Sequence, residues 1–284
     1  MELLVHSEVD DFLSRALPSL RKHEAANNLM LGVSLRLQEQ PDFYGSLPFL
    51  ATVENAGVLV AAALMTPPFN LIVHCPGGDC CAAFLLIAET LSGSGWQVPG
   101  VLGHAAHALV FARAWQQVNG ETFRLSMHLR AFELRKVIPP PRTSGCMRLA
   151  SLYDLALAEE WETAFNVEAI GEDEPHVSAP RTRGRIERCE LFFWVHEQPV
   201  SMAASARPVG RGVTVGLVYT PPERRRWGYA AALVAALSQH LLDAGYDYCT
   251  LFTDLANPTS NEIYQRIGYR PVCDYDTYRF IHET

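Results

Sequence analysis

"VYTPPERRRWGYAAALVAAL", residues Val218 to Leu237, joins the end of a predicted strand to an apolar helix through a loop that contains three consecutive arginines. The first N–H groups of a helix have no intrahelical partner, and they carry a partial positive charge. Arginine at this end opposes the helix dipole, so helix stability gives little reason for the placement. An anion such as phosphate gives one, because arginines bind its oxygens and Gly228 allows the backbone to approach it closely. The junction is therefore predicted to bind an anion.

The whole chain is acidic and has the composition of a globular protein. Its 284 residues are 49% hydrophobic and 19% charged, and the net charge is −8. No domain-wide positive field would attract nucleic acid or an anionic membrane, so neither is expected as a partner. The longest apolar runs are too short to span a bilayer, and the N-terminus lacks a secretory signal. A cytoplasmic protein is expected, and the length favours two domains.

The spacing of cysteine and histidine predicts neither disulfides nor a metal site. The chain has seven cysteines, and none of them forms a C-x-x-C pair. Adjacent Cys80 and Cys81 suit neither a simple disulfide nor zinc. His23, His104 and His107 have no metal-ligand partner at a useful spacing. We therefore expect reduced thiols and no metal.

The clearest division of the chain is "RKVIPPPRTSG", Arg135–Gly145, because three consecutive prolines continue neither a helix nor a central strand. Two domains, 1–143 and 144–284, are predicted on this basis. In each half the pattern indicates antiparallel strands followed by crossover helices. This order predicts an α+β fold built from two similar halves, each a mostly antiparallel sheet flanked by helices.

Further local predictions concern segments outside the arginine loop. The first helical segment is expected to break or kink at Pro18. Pro180–Arg188, with four arginines, is expected to be an exposed loop, or alternatively a contact for an acidic acceptor. Cys273–Phe280 reads as an edge strand that could serve as a dimer contact or as a wall of the acceptor pocket. Pro76–Cys81 takes the place of the arginine loop in the first half. It has no arginine, and Asp79 would cap the helix there, so no anion site is expected.

Two segments resemble the motifs of one known family. Arg225–Ala230 resembles the Q/R-x-x-G-x-G/A signature of the GCN5-related N-acetyltransferases, the GNAT superfamily. Asn257–Tyr269 resembles that family's N-x-x-A/S-x-x-(I/L)-Y-x-x-x-G-(F/Y) segment, and it follows about thirty residues later. Arg226 departs from the pattern, since glycine is often found there. The resemblance covers residues 144–284, and it implies a tandem protein of two GNAT-like domains whose first half is degenerate.

The resemblance implies acetyl-CoA as cosubstrate. It assigns the pantetheine arm to the backbone at the end of the strand, the pyrophosphate to the loop from Arg225 to Ala230, and a peripheral phosphate to Arg224. Asn257 would hydrogen-bond the pantetheine, with Ser260 beside it. The residues implied to bind acetyl-CoA are Leu217, Val218, Tyr219, Thr220, Arg224, Arg225, Arg226, Trp227, Gly228, Tyr229, Ala230, Asn257, Ser260 and Tyr264.

Tyr264 is the predicted catalytic residue. It matches the tyrosine that, in many relatives, protonates the departing thiolate of CoA. A phenol with a pKa of about 10 can deliver a proton to a thiolate. The alternative is a core tyrosine on an amphipathic helix.

The expected reaction is direct transfer of an acetyl group to the primary amine of an unknown acceptor. The predicted strand before the loop contains no carboxylate, and Glu168, Glu172 and His176 are not assigned as the base. Cys249 is expected to be buried, which argues against an acetyl-cysteine route. A non-catalytic acyl-CoA-binding or sensing module is the alternative, and a longer acyl chain is a further one. The protein could be a monomer or a homodimer, and its first half could pack on the second or complete the acceptor cleft.

Overall fold

The structure is a computed structural model, and it describes residues 1–169 and 175–281. The predicted α+β class is confirmed, since helices pack on strands whose pairing is mostly antiparallel. The first elements, in chain order, are β1 Glu2–Val5, α1 Val9–Leu20, α2 Asn28–Glu39, β2 Phe49–Asn55, β3 Val58–Met65, β4 Leu71–His74, α3 Cys81–Gly93, β5 Gly100–His104, α4 Ala105–Asn119 and β6 Thr122–Leu134.

The remaining elements follow the proline-rich segment. They are β7 Cys146–Leu149, α5 Leu155–Ala169, α6 Pro175–Glu187, β8 Leu191–His196, β9 Gln198–Val209, β10 Gly212–Tyr219, α7 Tyr229–Asp243, β11 Tyr248–Asp254, α8 Pro258–Arg266 and β12 Arg270–Ile281. Short 3₁₀ turns precede α2, α5 and α7.

Contacts divide the chain into two units. One comprises Met1–Ala131 together with Val272–Thr284, and the other comprises Phe132–Pro271. These limits differ from the predicted 1–143 and 144–284. The difference arises because the end of β6 already contributes Phe132 to the core of the second unit, whereas β12 pairs with β5 of the first.

In the first unit the strands follow the order β1, β2, β3, β4, β5, β12, β6. Neighbours β4 and β5 are parallel, because α3 crosses over between them, whereas β1, β2 and β3 pair antiparallel. Helices α3 and α4 bury Phe84 and Phe111, whose rings meet edge to face at 5.8 Å. Burial of each such ring stabilises the fold by about 2 kcal/mol.

In the second unit the strand order is β11, β10, β9, β8, β7, and β10 and β11 are the parallel pair. Both faces of this sheet are covered, as alternate residues of β8 show. Phe192 and Trp194 lie in the core that α7 and α8 complete, whereas Phe193 lies with Trp161 of α5 in a second core. Strands covered on both faces carry apolar residues almost without alternation, as "LFFWV" does.

The break expected at Pro18 is absent, because the first helix continues through Pro18 to Leu20 and the interruption lies in the 3₁₀ turn that follows. Two further local predictions were wrong. Cys273–Phe280 is not an edge strand, because β12 lies between β5 and β6, with Tyr275 opposite His104. Most of Pro180–Arg188 belongs to helix α6, not to a loop.

The helix α6 forms because its polar side chains find a partner on α5. Thr182 is fully buried, and its hydroxyl donates a hydrogen bond to the buried carboxylate of Glu162. Arg185 pairs with the same carboxylate. A buried carboxylate requires such partners, so these two residues fix α6 against α5.

Candidate functional site

The parallel strands β10 and β11 are paired only over their first residues. Gly212, Val213 and Thr214 lie opposite Tyr248, Cys249 and Thr250, and both strands then continue without a further aligned pair. The hydroxyls of Thr214 and Thr250 lie 3.1 Å apart at this last pair. Beyond it the strands part towards their carboxyl ends, the place where ligands bind in parallel α/β arrangements.

A β-bulge lies on β10 beside this opening. Gly216 pairs with Ala204 and Tyr219 pairs with Met202, so Leu217 and Val218 together face the single residue between those partners on β9. Leu217 has φ of 51°, an uncommon conformation for a residue with a side chain. A bulge leaves backbone groups unpaired, and strained residues of this kind concentrate at functional sites.

The loop after β10 turns twice through the left-handed region before α7 begins. Arg226 has φ of 68°, and Gly228, the residue that caps α7, has φ of 81°. A Cβ built on Gly228 would lie 3.0 Å from the hydroxyl of Thr143, so a side chain there would be both strained and crowded. Because Gly228 has no side chain, it does not shield the free N–H groups of the first turn of α7 from an anion.

Of the three arginines in the loop, Arg225 is already engaged. Its Nε donates to the carbonyl of Thr220 at 2.9 Å, and its Nη2 donates to both carboxylate oxygens of Glu168 at 2.7 Å. Arg226 is exposed, and the indole of Trp227 is 68% exposed. Sequence reasoning missed the role of Glu168 as a partner of the loop, because no local pattern links residues 57 positions apart.

Hydrogen bonds hold three predicted site residues, Tyr219 by its backbone carbonyl and Thr220 and Tyr229 by their side chains. The hydroxyl of Ser201 donates to the carbonyl of Tyr219 at 3.0 Å and lies 2.9 Å from the hydroxyl of Thr220. The hydroxyl of Tyr229 lies 2.8 Å from Nδ1 of His196. These contacts fix the strand end and the helix start, so that their backbone groups are what a ligand would meet.

The second motif lies after β11, at the same end of the parallel pair. Asn257 caps α8, and its side-chain oxygen accepts the N–H of Ser260 at 3.0 Å. Its amide NH₂ is directed away from this bond and can donate to a ligand. Asn261 donates to the carbonyls of Asp254 and Asn257, while its own amide oxygen is buried and has no partner among the described residues. Asn261 is a further candidate that the motif did not indicate.

Tyr264 lies on α8 and is only 8% exposed. Its ring meets that of Tyr269 edge to face at 6.1 Å, in the core that also contains Cys249. Burial raises the pKa of the Tyr264 phenol to about 12. Its packing fits a core tyrosine, and its protonated hydroxyl keeps the capacity to donate.

No described residue presents itself as a base. Strand β10 carries no acidic side chain, and Glu168 is tied to Arg225. Glu172 and the side chain of His176 lie outside what the structure describes. Burial also raises the pKa of the Cys249 thiol to about 12, so this cysteine is unreactive at neutral pH.

The first unit lacks the corresponding opening. Its parallel strands β4 and β5 stay paired up to Val73 and Gly103, one residue before each strand ends. In the loop after β4 the carboxylate of Asp79 accepts the N–H of Cys81, at 2.9 Å, at the start of α3. Because the strands stay paired and Asp79 caps the start of α3, this position offers no anion-binding site.

Among the side chains of residues 1–169 and 181–281, no three His, Cys, Asp or Glu are grouped so that they could bind a metal ion. None of the helices that the structure describes is both long enough and apolar enough to cross a bilayer.

Comparisons with known proteins agree with this geometry. Residues 195–280 match the model of the FR47-like protein family. The sequence has no significant match among curated proteins. A GCN5-related N-acetyltransferase from Sphaerobacter thermophilus is similar in structure, with a TM-score of 0.65 and 16% identity over 99% of this chain and 96% of that one.

Two further solved structures are similar over nearly the whole chain. A Drosophila protein has a TM-score of 0.70 and 16% identity, and the match covers 98% of each chain. A tandem GNAT protein from the clavulanic acid biosynthesis pathway, solved without acetyl-CoA, has a TM-score of 0.61 and 12% identity over 100% of both chains. The chain therefore has the fold of the GCN5-related N-acetyltransferases of the GNAT superfamily, and its residues 195–280 match the FR47-like family model.

Proposed function

We propose that residues 132–271 form an acetyl-CoA-dependent N-acetyltransferase that acts on a primary amine. The observation that carries the proposal is the coincidence of three features at one end of β10. They are the opening beyond Thr214 and Thr250, the bulge at Leu217 and the left-handed loop that ends at Gly228. Proteins that share this fold are named as acetyltransferases.

In this proposal the backbone binds most of the cosubstrate. Backbone groups between Leu217 and Thr220, above all those of Leu217 and Val218 at the bulge, hydrogen-bond the pantetheine amides as an added strand would. The N–H groups from Trp227 to Ala230 bind the pyrophosphate, and Arg224 and Arg226 neutralise its charge. The amide NH₂ of Asn257, beside Ser260, and the orphaned oxygen of Asn261 complete the pantetheine contacts.

The proposed reaction is direct attack of a neutral amine on the thioester. Backbone N–H groups at the bulge, near Val218 and Tyr219, polarise the carbonyl as charge develops on its oxygen. Tyr264 then donates a proton to the departing thiolate, and its raised pKa keeps it protonated until that step. The amine attacks in its neutral form. Because β10 carries no carboxylate, the proton that the nitrogen carries after the attack passes to water, and Tyr264 regains a proton from water once the thiol has left. We assign this activity to the cytoplasm, where the seven free thiols would stay reduced.

Binding and turnover test the proposal in sequence. Calorimetry should show acetyl-CoA binding to the full chain, and thiol release should then follow when a panel of primary amines is added. Self-acetylation on lysine is a minor background, because residues 144–284 contain no lysine and the chain holds only Lys22 and Lys136. Binding without turnover on any amine would reject the enzyme in favour of a CoA-sensing module. Absence of binding would reject both.

A further inference from the structure

The carboxylate of Glu168 holds the guanidinium of Arg225 at two equal distances of 2.7 Å. We infer that Glu168 stands in for the ligand's pyrophosphate in the ligand-free protein, so that acyl-CoA must displace it, and that it thereby sets the affinity for the cosubstrate. This inference rests on the proposed function, and it identifies Glu168 as a residue that positions Arg225 and competes for it.

The chemistry of the pair supports an exchange. Carboxylate and phosphate oxygens both accept charge-assisted hydrogen bonds from a guanidinium, and here one nitrogen of Arg225, Nη2, donates to both oxygens of Glu168. The bond from Nε of Arg225 to the carbonyl of Thr220 remains when the carboxylate leaves, so the guanidinium stays at the loop. Arg225 can therefore pass from one anion to the other without a large rearrangement of its side chain.

The exposure of the pair makes this exchange easy. The side chains of Arg225 and Glu168 are 43% and 46% exposed, and ion pairs in such positions contribute little to stability. A pyrophosphate brings two negative charges to the same loop. If Glu168 remained beside it, like charges would lie close together, which favours departure of the carboxylate.

Displacement has a consequence for helix α5. Glu168 is the penultimate residue of that helix, and its bond to Arg225 ties the last turn to the loop. The last turn should therefore loosen when acyl-CoA binds. The first core residues on the same helix, Ala158 and Trp161, remain packed, so the rest of α5 should not change.

The test compares two variants of the full chain that remove the same charge from the same helix. Glu168→Gln removes the competing carboxylate, whereas Glu160→Gln removes an exposed carboxylate about two turns earlier in α5. Calorimetry with CoA should give about three- to tenfold tighter binding for Glu168→Gln and less than a twofold change for Glu160→Gln. The gain should vanish when Arg225→Gln is added, since no guanidinium is then released.

Four results of these experiments would overturn the inference or the proposed function. Binding by the wild type with equal or weaker binding by Glu168→Gln would overturn this inference and leave the proposed function standing. An equal gain for both variants would also overturn it, because a general charge effect would then suffice. Amide hydrogen exchange gives a second readout: CoA should speed exchange in the last turn of α5 in the wild type, and unchanged exchange there would contradict displacement. No CoA binding by the wild type would overturn the proposed function itself.

Discussion

Thr214 and Thr250 form the last aligned pair of the parallel strands β10 and β11, and five residues of β10 and four of β11 extend beyond them. Their counterparts in the first unit, Val73 and Gly103, lie one residue from the strand ends. The two units thus share a parallel pair followed by a helix, but only the second opens between its strands. Both units have this arrangement, and they differ in where the pairing of the parallel strands stops. This difference accounts for the candidate site in the second unit.

The conformation of Gly228 should matter for the ligand and not only for stability. Gly228→Ala places a side chain at φ of 81° against Thr143, so stability should fall by about 1 kcal/mol and CoA affinity should fall at least about tenfold. Gly245→Ala is the matched control, because Gly245 has φ of 103° after α7 with open space around it. It should lose similar stability and keep its affinity. Calorimetry and thermal unfolding of both variants check this, and equal affinities would contradict it.

Tyr264→Phe should slow turnover without weakening acetyl-CoA binding. The phenyl ring keeps the contact with Tyr269, and only the proton donor is lost. We expect kcat to fall by about 10²-fold, at the lower end for a general acid, with KM for acetyl-CoA nearly unchanged. Because the pKa of Tyr264 is about 12, its deprotonation should cause no loss of activity below about pH 11. An unchanged kcat would identify Tyr264 as a core residue only.

Stability should fall on mild acidification through His74. Burial first, and the neighbouring His104, His107 and His23 second, lower the pKa of His74 to about 4. Since the unfolded value is about 6.5, the neutral ring stabilises the fold above pH 6.5, and this contribution is lost as the pH falls towards 4. From pH 7 to pH 5 the loss is about 2 kcal/mol.

Urea unfolding at both pH values tests this contribution of His74. His74→Gln keeps a partner for Ser19 and should show a smaller loss of stability between pH 7 and pH 5. His23→Gln, at an exposed position of the same group, should keep most of the loss. Equal pH dependence in wild type and His74→Gln would show that other groups cause it.

Direct transfer predicts that no acetyl group is carried by Cys249. Its pKa of about 12 keeps the thiol protonated, so iodoacetamide at pH 7 should label exposed Cys146 and Cys189 before it. Cys249→Ser retains a donor to the carbonyl of Ser238 and should keep its activity. Mass spectrometry after incubation with acetyl-CoA checks whether Cys249 carries an acetyl group, and an acetylated Cys249 peptide would contradict the mechanism.

Local patterns were sufficient to predict the elements around the candidate site. The arginine loop, the apolar helix after it and the capped helix α8 depend on residues close together in sequence, such as Gly228 and Asn257. The residue type indicates the backbone conformation at these positions, because glycine is typical of a positive φ and asparagine is typical of a helix N-cap.

Features that depend on distant partners were not predictable from those patterns. Alternation in Cys273–Phe280 indicates a strand, but it does not say that β5 and β6 lie on either side of it. The charged sequence of α6 suggests a loop, because the bonds to Glu162 that hold it as a helix come from a distant part of the sequence. The tie between Glu168 and Arg225 likewise joins residues far apart in sequence.

The most direct test of the account is calorimetric titration of acetyl-CoA into the wild type, Arg226→Glu and Arg211→Glu. The two variants make the same charge change at opposite ends of β10, since Arg211 precedes that strand and Arg226 lies in the loop after it. We predict micromolar binding by the wild type, binding at least about tenfold weaker for Arg226→Glu, and less than a twofold change for Arg211→Glu. No binding by the wild type, or equal binding by all three proteins, would contradict an acyl-CoA site at this loop.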